Sequence, residues 1–199
     1  METISSNHLI TSLVIILVSS FTTHSSQVIE GSTVFIRTSC SSTTYPRLCF
    51  SSLVKHAELI QTNRVLLTGT ALNVTLVSAK STSDMMSTLS KSHGLKPREV
   101  AAMKDCVEEL SDSVDELRRS IYEMGHLRNS NFELTMSDVQ TWVSAALTDE
   151  STCTDGFQDI ASTDDDGDIK STVRGRIVQV AQLTSNALAL INQLANSHG

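Results

Sequence analysis

Glu108, Asp112 and Asp115 stand at i, i+4 and i+7, which on a helix places three carboxylates along one exposed stripe. Cys106 precedes that stripe by two residues, and Cys153 sits between Thr152 and Asp155. A bond between these cysteines would bring Thr152 and Asp155 alongside the stripe and form a compact acidic surface across two helices. Carboxylates packed this closely repel one another, which raises some pKa values and lets a protonated group share its hydrogen with a neighbour. The surface therefore suits recognition of a partner in mildly acidic surroundings. Taken alone, the stripe reads first as the solvated outer face of a helix.

Catalytic chemistry finds no support in the remaining residues. The sequence has no G-x-S-x-G, no H-E-x-x-H and no G-x-x-x-x-G-K pattern. The expectation is a non-enzyme with no cofactor and no metal. Of six histidines, His8, His24 and His198 lie close to the chain ends, while His56, His93 and His126 fall near helix ends and read as solvated or capping groups. Asp164-Asp165-Asp166-Gly167-Asp168 hints at calcium, but an EF-hand frame starting at Ser162 needs Glu where Val173 stands. The aspartates read instead as a solvated loop favouring the start of the last helix.

The elements that position these residues are helices. The chain has 199 residues, aromatics at 4%, and only 8 Gly and 2 Pro, a composition that favours helices over a β-sandwich or barrel. After Pro97, the run Val100, Met103, Val107, Leu110, Val114, Leu117, Ile121 and Met124 keeps steps of three and four. A third segment repeats the rhythm through Met136, Val139, Val143, Ala146, Cys153, Phe157 and Ile160, interrupted at Glu150, with Thr135 or Ser137 as its expected cap. The last runs through Val173, Ile177, Val180, Thr184, Ala187 and Ile191. The first is weaker, through Leu72, Leu76, Ala79, Ser83, Met86 and Leu89. Breaks at His93-Gly94, Gly125 to Asn131 and Asp164 to Asp168 are short, so consecutive helices run antiparallel. The reading is all-α: an up-down-up-down four-helix bundle over residues 63–199, preceded by an α-helical hairpin over 26–62 whose bend is Tyr45-Pro46.

Residues 1–25 read as a signal peptide. Leu9 to Val18 is apolar, too short to span a bilayer, and is followed by Ser19, Ser20, Thr22, Thr23, Ser25 and Ser26. Four cysteines without a C-x-x-C pair suit two disulfides in an exported chain. Three pairings are possible, and the closeness of Cys40 to Cys49 favours the sequential one. Asn73-Val74-Thr75 is the one N-glycosylation sequon. Net charge of −7, from 15 Lys+Arg against 22 Asp+Glu, excludes a nucleic-acid binder with a basic face.

Four segments in order resemble the plant invertase and pectin methylesterase inhibitor family: Cys40-Ser-Ser-Thr-Thr-Tyr-Pro-Arg-Leu-Cys49, Asp105 to Leu117, Val143 to Phe157, and Leu183-Thr-Ser-Asn-Ala-Leu-Ala-Leu190. The resemblance implies Cys40–Cys49 and Cys106–Cys153 pairing, secretion to the apoplast and cell wall, and no membrane association once mature. It also implies that Glu108, Asp112, Asp115, Thr152 and Asp155 contact a target enzyme. Invertase inhibitors of the family typically carry Pro-Lys-Phe, whereas Pro46 and Pro97 here are each followed by Arg. The Ser185-Asn186-Ala187-Leu188-Ala189-Leu190 ending is similar to methylesterase inhibitors. Pectin methylesterase is the expected partner, with invertase the alternative, and the free chain is expected to be a monomer.

Overall fold

A computed structural model describes residues 29–92, 96–158 and 167–197, with side chains omitted for 157, 158 and 167–170. The expected signal-peptide region 1–25, His93-Gly94, Ile160 and the run Asp164 to Asp166 lie outside the described residues, as do the side chains of Phe157, Gly167-Asp168 and Ile169. Helix α1 spans 29–40. It is followed by α2 (Pro46–Leu53), a single 3₁₀ turn (Val54–His56) and α3 (Ala57–Ile60). Four long helices follow: α4 (Arg64–Leu89), α5 (Pro97–Gly125), α6 (Phe132–Gln158) and α7 (Gly167–Asn196). Each long helix packs on the next, and α7 returns to pack on α4, which closes the expected four-helix bundle.

Local chemistry sets the helix starts. Gln61 has φ of 51°, a left-handed turn that ends α3 and redirects the chain. Asn63 then caps α4, its Oδ1 accepting from the N–H of Val65 (2.8 Å) and Leu66 (3.1 Å). This helix therefore begins at Arg64, well before Leu72, where apolar periodicity first became readable. Its early buried positions include Thr68 and Thr70, whose polarity hides the pattern. Thr68 tolerates burial by donating to the Arg64 carbonyl at 2.9 Å. In α5, Pro97 occupies the first turn and the Glu99 carboxylate accepts from the Lys96 N–H at 2.9 Å.

The expected cap of the third bundle helix is corrected. Thr135 and Ser137 lie inside α6, not before it. The chain enters the helix through a 3₁₀ turn (Asn129–Asn131) in which Asn131 Oδ1 accepts from the Arg128 N–H at 2.7 Å. Phe132 then starts the helix with its ring buried. Asn131 carries the turn and leaves Thr135 free to be buried among the helices.

The core forms two clusters. The larger surrounds Ile36, Leu72, Leu117, Val143, Ala187 and Ile191 at the hairpin end. The smaller gathers Met86, Met103, Cys106, Leu110, Cys153 and Ile177 at the other. Along α5 the buried stripe includes Cys106, Ser113 and Ser120, while Val100, Val107 and Ile121 are half-buried. Small side chains at this seam allow close approach of the neighbouring helices.

The hairpin is closed by Cys40–Cys49, with Cα atoms 5.6 Å apart. The Arg37 guanidinium lies 4.2 Å from the centre of the Phe50 ring, a cation–π contact across its two arms. Docking on the bundle is polar as well as apolar. Tyr45 N–H donates to Asn186 Oδ1 (2.9 Å), and Asn186 Nδ2 donates to the Tyr45 carbonyl (3.0 Å). Gln193 Nε2 donates to the Ser39 carbonyl (3.2 Å) and to Ser42 Oγ (3.0 Å).

Candidate functional site

Cys106 and Cys153 are bonded, with Cα atoms 4.6 Å apart, and both are buried. The bridge fixes α5 against α6 and sets the rotation of each helix about its axis. Glu108, Asp112 and Asp115 all point outward from α5, and Thr152 and Asp155 point outward from α6. The surface is thus carried on two rigid helices joined covalently beneath it.

The five residues do not form one cluster. Glu108 and Thr152 share a shallow groove of about 610 Å³ over the bridge, together with Arg98, Asp105, Glu109 and Gly156. Asp112 stands further along α5, close enough to Asp149 and Glu116 to raise the pKa of each. Asp115 is drawn aside by Arg118, whose Nη1 lies 2.6 Å from its Oδ1. An exposed pair of this kind, one helical turn apart, is worth little in stability, yet it spends part of the charge of Asp115. Asp155 is exposed on α6 and does not line the groove.

Beside this row lies a second set of carboxyl groups, which the i, i+4, i+7 stripe does not contain. Glu116 and Asp149 face each other across α5 and α6 and share a hydrogen bond. Burial pushes the Glu116 carboxyl up to about 7, and the charge of Asp149 adds to the effect, against the opposing pull of Arg119. Asp149 is raised as well, first by burial and then by Glu109 and Asp112. The contact between them raises Glu116 further and opposes the rise of Asp149, so it favours the proton on Glu116.

Glu150 goes deeper. Its side chain is fully buried, lying on α6 between Ala146 of the larger core cluster and Cys153 of the smaller. Ser113 Oγ of α5 and Thr184 Oγ1 of α7 both donate to its Oε1, at 2.7 and 2.8 Å. Burial dominates and pushes Glu150 up to about 7, while the two hydroxyl donors oppose the shift. A protonated carboxyl at the junction of the two apolar clusters thus ties three helices together.

The signal for this second set is present in the chain. Glu109 and Glu116 are seven residues apart on one face. Glu150 stands out as the single charged interruption of an apolar seam, and Thr184 occupies a seam position of α7, whereas Ser113 lies beside the α5 seam, next to Val114. Only the packing shows that the three meet. Among the described residues, no group of three or more His, Cys, Asp or Glu side chains is placed to hold a metal ion. His126 caps the C-terminal end of α5, its Nδ1 2.7 Å from the Tyr122 carbonyl, and takes no part in the acidic surface. No helix among the described residues is long and apolar enough to cross a membrane.

Helical bundle, hairpin and bridges together define a protein-inhibitor class that known sequences share. The profile of the plant invertase/pectin methylesterase inhibitor family matches residues 34–190, and the chain belongs to that family. It is an inhibitor-family protein, not an enzyme. The chain is 49% identical to a "21 kDa protein" of Daucus carota over 82% of its own length and 85% of that protein. It is 46% identical to pectinesterase inhibitor 11 of Arabidopsis thaliana, over 82% of each chain. Identity is also 46% to pectinesterase inhibitor 10 of Arabidopsis thaliana, over 82% of this chain and 52% of that one. Among solved structures, a mutant form of a pectin methylesterase inhibitor from Arabidopsis shares the fold with a TM-score of 0.62 at 24% identity, covering 77% of this chain and 92% of that one.

Proposed function

We propose that this chain is a secreted inhibitor of pectin methylesterase that covers the enzyme's active-site cleft in a one-to-one complex. One observation carries the reading: Glu108, Asp112 and Thr152 stand exposed on two helices fixed by the Cys106–Cys153 bridge, a pre-organised polar surface. The 46% identity to two proteins named pectinesterase inhibitors supports the choice of target. The mature chain begins near Ser25 or Ser26, acts in the apoplast and cell wall, and is a monomer when free. Inhibition of invertase is the second reading, disfavoured because neither proline is followed by Lys-Phe.

The test is titration of the oxidised mature chain against a plant pectin methylesterase and a plant invertase at about pH 5.5 and about pH 8. Stoichiometric loss of methylesterase activity with invertase untouched supports the proposal. Loss of invertase activity alone would transfer the assignment to the second reading.

A further inference from the structure

Asn73 stands on a ridge of α4 between two grooves. On one side, a groove of about 660 Å³ runs between the hairpin and the α4–α7 edge of the bundle. On the other, a smaller groove of about 280 Å³ lies over the α4–α5 edge. Asn73 lines both. Four of the nine exposed large apolar side chains among the described residues line these two grooves. Val77 is 68% exposed and Leu59 59%, and both line the larger groove; Leu66 at 41% and Val65 at 36% line the smaller, which Leu59 also borders. These four residues flank Asn73, with Leu59 bordering both grooves, and together make an apolar patch of the kind a monomeric exported protein keeps covered.

Asn73-Val74-Thr75 is the only sequon of the chain, and it lies inside that patch. We infer that an N-linked oligosaccharide on Asn73 covers the apolar faces of Leu59, Val65, Leu66 and Val77. The inference rests on the export part of the proposed function and not on the identity of the target. The geometry accommodates the modification. Asn73 is exposed, and its Nδ2 donates to the Gly69 carbonyl at 2.8 Å. Glycosylation replaces one of the two Nδ2 hydrogens, so the other can keep that bond. A side chain at Gly69 would point into open space, so the turn beneath Asn73 leaves room for a first sugar. Ser51, Ser52, Ser78 and Ser81 offer hydroxyls along the larger groove, while Leu59 and Val77 offer apolar surface for the C–H faces of sugar rings.

The chemistry sets the order of events. The sugar comes from a lipid-linked diphosphate donor in the exporting compartment. The anomeric C–O bond to phosphate breaks, the anomeric carbon bonds to Asn73 Nδ2, one amide hydrogen leaves as a proton, and the diphosphate leaves with the bonding pair. Transfer must precede folding of α4, because in the folded chain Thr75 is 1% exposed and its hydroxyl is held by the Ala71 carbonyl at 2.9 Å. The oligosaccharide then sits on the α4–α7 and α4–α5 edges. The acidic surface lies on the α5–α6 edge, across the bundle from the larger groove, so the modification leaves that surface open.

The experiment expresses the full chain in a plant secretory host and weighs the chain recovered from the medium before and after peptide N-glycosidase treatment. The expected result is a mass gain of one oligosaccharide, lost in Asn73→Gln and retained in Thr75→Ser. An apolar-surface dye should fluoresce several-fold more with the enzymatically deglycosylated chain than with the intact one. Leu59→Ser and Val77→Ser in the deglycosylated chain should reverse that rise. A secreted chain without the mass gain overturns the inference and leaves the export reading standing. Retention of the chain inside the cell removes both. A glycosylated chain whose dye binding is unchanged by deglycosylation overturns the covering role.

Discussion

Asn186 and Tyr45 exchange two hydrogen bonds across 141 residues of sequence: the side chain of one satisfies both the N–H and the carbonyl of the other. Within the hairpin the Tyr45 carbonyl accepts from the Cys49 N–H at 2.9 Å. A buried asparagine of α7 gives that carbonyl a second donor and the Tyr45 N–H its acceptor, and so fixes where the hairpin rests on the bundle. The Leu183-Thr-Ser-Asn-Ala-Leu-Ala-Leu190 ending thus has a structural reason for its asparagine.

Asn186→Ala should lower stability by about 1–3 kcal/mol, because it takes the acceptor from the Tyr45 N–H and removes the donor that ties the Tyr45 carbonyl to α7. Asn186→Asp should also destabilise, since a carboxylate can accept from Tyr45 N–H but cannot donate to its carbonyl. Urea midpoints of the oxidised proteins check both.

Glu150 makes stability depend on pH in a definite sense. Its folded pKa of about 7 lies above the ordinary 4.5, so between these values the native chain holds a proton that the unfolded chain lacks. The stabilising contribution is complete below about pH 4.5, declines as pH rises toward 7, and levels above it, a difference of about 3 kcal/mol. Glu150→Gln keeps an acceptor for Ser113 and Thr184 and removes the titration. It should flatten urea midpoints measured from about pH 5 to about pH 8 and raise the value at the alkaline end.

Glu116 should impose a related dependence on target binding. Near pH 5.5 it is neutral and shares its proton with Asp149; near pH 8 it is charged beside Asp112 and Asp149. Covering the ionised cluster with a protein partner costs more desolvation, so inhibition of pectin methylesterase should be tighter on the acid side. Glu116→Gln should weaken this dependence, and inhibition constants across the two pH values test it. A flat profile in the unsubstituted protein, or tighter inhibition at alkaline pH, would contradict the argument.

Glu108 and Thr152 share the groove over the bridge, so Glu108→Lys and Thr152→Arg should each weaken inhibition by about tenfold or more. Both side chains are exposed, and urea midpoints should move little. Asp115→Asn should matter less than Asp112→Asn, because Asp115 already faces Arg118.

Removing the Cys106–Cys153 bridge by a double serine substitution should cost about 4 kcal/mol on the loop-entropy argument, with 47 residues separating the cysteines. Removing Cys40–Cys49, separated by 9, should cost about 3 kcal/mol. Loss of the first should also weaken inhibition, since it frees α5 to rotate against α6. Thermal unfolding and inhibition constants of the two variants separate these effects.

The bundle was legible because three of its helices keep apolar residues at steps of three and four. The seam positions Val139, Val143, Ala146, Val173, Ile177, Val180, Thr184, Ala187 and Ile191 are all completely buried. The start of α4 was not, because Thr68, Thr70 and Thr75 occupy buried positions, Thr68 and Thr75 satisfying their hydroxyls through the preceding turn. In the candidate site, the outward stripe could be read from spacing, since helical geometry alone decides it. The Glu116–Asp149 pair and the Ser113–Glu150–Thr184 junction could not. They depend on the register between helices, which apolar periodicity leaves undetermined.

Neither disulfide joins the hairpin to the bundle. Cys40–Cys49 is internal to the one and Cys106–Cys153 to the other, and Gln61 turns the chain between them at a left-handed residue. Native-state amide exchange should therefore resolve two opening units. The amides of α1 and α2 should exchange through detachment that leaves the four long helices protected, at a rate governed by the contacts of Asn186 and Gln193. The central amides of α5 and α6 should exchange only on global unfolding.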